Sequence, residues 1–129
     1  MRQQLIDYFK GLKLKNFKVS DELPFVSGTN MYLKNPKTVY TDLAQKTNEQ
    51  LFAVLGNHGV FQEVDTVSVY LTTDAKNLPS DYDSTVAALA AGKNVSSTVN
   101  YFRREADVAT SYEGDMVLTT LEFRFYKLT

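Results

Sequence analysis

The sequence predicts an α+β fold: a mixed, mainly antiparallel sheet packed by an N-terminal helix and a second helix, with an extended arm or hairpin. Three observations carry this. From Asp115 to Leu128 the chain alternates, with Val117, Thr119, Leu121, Phe123 and Phe125 at odd positions and Thr120, Glu122, Arg124 and Tyr126 at even ones. Side chains of a strand point to opposite faces in turn, so this stretch has one apolar and one polar face. Val64 to Thr73 repeats the pattern, with Val67, Val69 and Leu71 opposite Thr66, Ser68 and Tyr70. Met1 to Leu12 instead spaces Leu5, Ile6, Phe9 and Leu12 at helical intervals, which gives an amphipathic helix one apolar stripe.

The remaining elements follow from local signals. Phe17 to Val19 suits a short strand. The loop residues of Glu22–Phe25 and Ser27–Asn30 interrupt regular structure through Pro24 and Gly28. Asn30–Leu33 and Thr38–Thr41 read as extended, with Asn35-Pro36-Lys37 as a turn between them. Thr47-Asn48-Glu49-Gln50 resembles a capping box before the apolar LFAVL, which predicts a short helix over Asn48–Leu55. Gly56-Asn57-His58-Gly59 signals a turn, and Phe61–Thr73 a strand. Ser80 is the expected N-cap of a helix with Tyr82, Val86, Leu89 and Ala90 on its buried side and Gly92 as its stop. Val99–Val108 is then a strand with poor alternation, Ser111–Gly114 a turn, and Asp115–Leu128 an antiparallel return.

A chain of 129 residues is expected to form one domain, 1–129, and to bury enough surface to need no staple. With no cysteine, thiolate metal sites, thiol catalysis and disulfides are excluded together. No apolar run is long enough to span a bilayer, so no membrane partner is expected. The formal net charge of −1 is uneven: residues 1–20 carry +4, which leaves −5 for the rest. Such polarity can orient a protein against a partner, although a solvated basic end is the simpler reading.

No constellation points to catalysis, and the expectation is a non-enzyme with no cofactor and no metal site. His58 is the only histidine and has no cysteine or second histidine to share a metal. Asp81 with Asp83 fits a helix start, while Glu105 with Asp107 and Glu113 with Asp115 fit a strand's solvent face and a turn. Arg103 and Arg104 follow Tyr101 and Phe102, a combination that could stack bases and pair phosphates. An inter-subunit ion-pairing role is preferred, with Arg103, Arg104 and Asp107 as candidates, because arginine and aromatics also concentrate at interfaces. Residues 21–62 hold aromatics and prolines with little clean periodicity, and segments of that kind are often ordered by a partner. They read as an arm projecting from the body, with Tyr32, Tyr40 and Phe52 as candidate anchors on a neighbouring subunit and with the core strands independent of them.

The order of elements resembles that of the tail-terminator, or tail-completion, proteins of long-tailed bacteriophages, the family of the lambda tail terminator. The resemblance lies in VSVYLTTDAKNLPSDYDSTVAAL, a central strand leading to a helix, and in VNYFRREADVATSYEGDMVLTTLEFRFYKL, an aromatic and arginine-bearing strand, a small-residue turn and an alternating final strand. It covers most of residues 1–14 and 61–128 and is architectural. It implies a structural virion protein of the tail or neck, assembled in the host cytoplasm. Such a protein forms a homo-oligomeric ring, expected to be a hexamer, that caps the tail tube and joins the tail to the head connector. Its partners would be the tail-tube protein and a connector or neck protein. It would make no sequence-specific contact with nucleic acid, though genome DNA could pass through the ring. The alternative, from a different class, is a small α/β ligand-binding or regulatory domain with a pocket between helix and sheet.

Overall fold

The computed structural model describes residues 1–54, 58–92 and 103–128, with side chains described outside 49–62, 103–104 and 128. The chain runs through α1 (Arg2–Gly11), β1 (Lys18–Val19), β2 (Phe25–Val26), β3 (Thr29–Asn30), α2 (Met31–Lys34), β4 (Thr38–Thr41), β5 (Gln45–Val54), β6 (His58–Asp74), α3 (Tyr82–Ala91), β7 (Arg103–Glu113) and β8 (Met116–Leu128). This is the α+β architecture that the two periodicities predict.

β6 is the spine. β8 pairs antiparallel along one of its edges from Gln62↔Leu128 to Asp74↔Met116, and β7 pairs beyond β8. β4 and β5 share the other edge, β4 beside Val69–Leu71 and β5 beside His58–Thr66, with β1 parallel outside β4. Only β5 pairs with His58–Phe61, so that the sheet continues at that end as a two-stranded hairpin among the described residues.

The register sets the core. Val67, Val69 and Leu71 lie opposite Phe123, Leu121 and Thr119, so the odd residues of both strands share one face. α1 and α3 cover it: Leu5, Phe9, Leu89, Leu121 and Phe123 are fully buried in one cluster. The rings of Phe9 and Phe123 lie 6.1 Å apart, and the Tyr8 hydroxyl donates to the Ala88 carbonyl at 2.8 Å, tying the helices together. Thr119 sits in this apolar layer without being orphaned, because the Tyr82 hydroxyl bonds its Oγ1 and Thr110 lies 3.3 Å away. A buried hydroxyl needs such partners to offset its lost hydration.

Several local expectations are corrected. Asn48–Leu55 is not a helix: through Val54 it belongs to β5, where the ladder to β6, with one register shift between Gln50 and Phe52, overrides the capping-box signal. Leu55 lies outside the described residues. Asn30–Leu33 is not extended, since Met31–Lys34 forms one helical turn closed by the Asn35 amide donating to Met31 O at 2.8 Å. The N-cap of α3 is Asp81 rather than Ser80, with no side-chain cap bond. Gly92 ends α3 in the left-handed region at φ 49°, as its position predicts. β7 continues through Ser111–Glu113, so the reversal tightens around Gly114 at φ 62°. Of the strand expected at Val99–Val108, residues 99–102 lie outside the described residues, as do residues 55–57 of the glycine-flanked turn. His58 itself is the first residue of β6.

Candidate subunit interface

The expectation of a wholly projecting arm over residues 21–62 is corrected by how β4 and α2 are held. Val39, Tyr40 and Thr41 of β4 pair with Leu71, Tyr70 and Val69, which inserts this segment into the main sheet. Tyr40 is buried, and its hydroxyl accepts a 2.9 Å bond from Asn35 Nδ2. Tyr32 is also buried; its ring stacks on Tyr70 at 4.7 Å and meets the edge of Phe25 at 5.7 Å. Thr72 Oγ1 donates to the Tyr32 carbonyl, and the Met31 amide donates to Pro24 O at 2.7 Å. Tyr32 and Tyr40 are therefore spent inside the chain, where they cover the even face of β6. They are not exposed anchors. Burial raises the pKa of both Tyr32 and Tyr70, consistent with neutral packed rings. What extends from the body is the narrower β5–β6 hairpin.

Phe52 lies in that hairpin, its backbone opposite Val60 and beside a register shift between Gln50 and Phe52. Its side chain is outside the described ones, as are those of Arg103 and Arg104, whose backbones pair with Tyr126 and Phe125. Asp107 is exposed on β7 and lies 2.5 Å from Arg124. Glu105 and Glu122 approach the same guanidinium at 3.2 and 3.5 Å. Partial burial of Arg124 opposes its charge, but the three carboxylates together with Tyr126 outweigh that and raise its pKa. The acidic pair Glu105 and Asp107 thus brackets an arginine that the sequence offers no reason to place there, since the contact depends on β7–β8 register. Glu63 is similarly shared by Lys127 at 3.3 Å and Lys46 at 3.4 Å, from the strands on either side of it. These cations lower its pKa, Lys127 most.

Among the described residues the sheet ends at β7 on one side and at β5 and β1 on the other. Among the described residues both long edges leave a row of backbone donors and acceptors without a strand partner, which is the usual template for strand addition. β7 also presents Val108, 46% exposed, and Tyr112, 74% exposed. Tyr112 was missed by sequence reasoning because Ser111–Gly114 resembles a turn; its place on an 11-residue edge strand makes it a natural anchor. No group of three or more metal-ligating side chains occurs among the described residues.

A second feature lies at the opposite end of β6. A surface groove of about 560 Å³ opens between the α1–β1 connection and the α2–β4 connection, lined by Lys15, Asn16, Phe17 and Lys18 on one side and by Lys34, Asn35, Pro36, Lys37 and Thr38 on the other. The basic N-terminal end is evident in the sequence. Nothing local pairs Lys15 and Lys18 with Lys34 and Lys37; the parallel β1–β4 contact brings the two segments together.

A scan against protein-family models finds no match, and a comparison with curated proteins finds no significant one.

Proposed function

We propose that this chain is a structural virion protein that assembles as a ring, capping a phage tail tube and joining the tail to the head connector. The observation that carries the reading is the pair of long open sheet edges, β7 on one flank and β5 on the other, on a body whose element order resembles the tail-terminator family. Two different edges on opposite flanks make a heterologous, head-to-tail contact, and a heterologous contact whose rotation closes gives a ring. The β5–β6 hairpin, extending beyond β8, supplies reach toward the tube or connector protein. Six subunits are the number the resemblance implies. The work is done by shape and edge complementarity and requires no reaction.

The test is assembly of the full chain, by sedimentation and electron microscopy, beside a Val108→Lys/Tyr112→Lys variant. Both residues are exposed, so the variant keeps its circular dichroism. Rings for the wild type and monomers for the variant are expected. A wild type that stays monomeric at every concentration, alone and with tube protein, overturns the reading.

A further inference from the structure

The groove at the far end of β6 carries four lysines and, among the described residues, no acidic one in its walls. Lys15, Lys18, Lys34 and Lys37 are all exposed, and none is ion-paired among the described residues. Asp81, outside the lining, accepts a 2.9 Å bond from Asn16 Nδ2. Like charges collected on one concave surface repel one another, and that cost is relieved when an anion enters.

The walls are fixed by backbone, so the cluster is not a chance meeting of two loops. The Lys18 amide donates to Lys37 O at 2.9 Å, and the Lys37 amide donates to Thr72 O at 2.7 Å, fastening both segments to the main sheet. Phe17, which lines the groove, is buried against Tyr82 with ring centres 6.2 Å apart. Lys37 holds φ at +61°, a region where a side chain costs about 1 kcal/mol or more and where glycine or asparagine is the ordinary choice.

We propose that this groove binds phosphate groups. Lysine ammoniums are compact point charges with rotatable donors, suited to a highly charged tetrahedral oxyanion; planar carboxylates are better matched by the arginine fork, which the groove lacks. Asn16 and Asn35 also line the groove, their side-chain amides bonded to Asp81 and Tyr40 respectively. Phe17 is too buried to stack on a base, so recognition is by phosphate and is independent of sequence. The ligand is either a nucleic-acid backbone or a free phosphate compound, which share this chemistry. The inference does not rest on ring assembly, because none of the groove's lining residues belongs to β5 or β7, the two edges proposed to join subunits.

The experiment is calorimetric titration of the full chain with tripolyphosphate and with a short mixed-sequence DNA duplex, at low and at physiological salt. The groove variant is Lys34→Gln/Lys37→Gly; both positions are exposed, and glycine suits the φ of residue 37. The control is Lys46→Gln/Lys127→Gln, which removes the same charge near the hairpin end. Wild type and control should bind at least one probe, and the groove variant should bind it about tenfold or more weakly. If the duplex binds, the groove variant should also flatten the dependence of log K on log salt by roughly two phosphate contacts, identifying a backbone ligand. If tripolyphosphate binds and the duplex does not, the ligand is a free phosphate compound. Should the groove variant lose its circular dichroism, Lys15→Gln/Lys18→Gln on the opposite wall decides by the same criterion. Binding of neither probe, or equal weakening in the control, overturns the proposal.

Discussion

β8 and the α2–β4 segment are both buried, yet only one announces it. Phe123 of β8 is fully buried and Tyr40 of β4 nearly so. β8 packs one face against a continuous apolar layer, so burial follows its period of two without interruption from Val117 to Phe125. In α2–β4 the covering groups come from elsewhere in the chain: Tyr70 and Thr72 for Tyr32, and Tyr70 across the ladder from Tyr40. A periodic pattern reports packing against a broad surface. It is silent about aromatic residues that stack on one another over a sheet's second face.

The largest expected effect tests the first half of that contrast. Phe123→Ala should destabilise the protein by about 3–5 kcal/mol, the usual cost of removing a buried ring together with the cavity it leaves. Urea denaturation of the variant measures it, and an unchanged midpoint would break the assignment of the odd face to the core. The second half predicts a comparable kind of loss where the sequence predicts none. Tyr32→Ser and Tyr40→Ser should each cost about 2–4 kcal/mol, somewhat less because Phe25, which caps this cluster, is itself 42% exposed. Together they should shift or abolish cooperative unfolding. A double variant with unaltered stability would restore the picture of a dispensable arm.

The same contrast explains what was legible beforehand. The helix stripe at Leu5, Ile6 and Phe9, the spine strand and the glycine stop at Gly92 are local, and the residues themselves state them. β5 was illegible because Thr47–Gln50 carries a helix-start signal that only the ladder to β6 overrules. Of the candidate interface, Asp107 lies on an exposed edge strand, Tyr112 is hidden in a turn-like tetrapeptide, and local sequence cannot show that Tyr32 and Tyr40 face inward, because their partners lie about 30–40 residues away. The lysine groove was beyond reach for the same reason, since each half is an ordinary pair of surface lysines until β1 and β4 align.

Glu63 offers a pH probe of strand pairing at the hairpin end. Lys127 and Lys46 hold its folded pKa below the ordinary 4.5. Its contribution to stability is therefore present above that value and is lost as pH falls through the lower folded pKa. Glu63→Gln should lower stability at neutral pH and flatten the acid side of the stability profile, as read from urea midpoints at successive pH values. An acid limb identical to the wild type's would mean that the two lysines do not favour the folded carboxylate over the unfolded one.

The smallest expected effect is at Asp107. Its carboxylate is 66% exposed, and Arg124 retains Glu105 and Glu122 when it is removed. Exposed pairs of this kind contribute less than about 1 kcal/mol, because water screens them and ordering the side chains costs entropy. Asp107→Asn should therefore leave the denaturation midpoint nearly unchanged. It should also perturb assembly less than Tyr112→Lys, since in the monomer Asp107 already has its cation while Tyr112 has little cover. Sedimentation of the two variants at matched concentration separates these roles. Rings that survive Asp107→Asn and fail with Tyr112→Lys place the contact on the apolar edge of β7. The reverse order would mean that Asp107 exchanges Arg124 for a cation on the neighbouring subunit, making the Arg103–Asp107 end of the strand the contact surface.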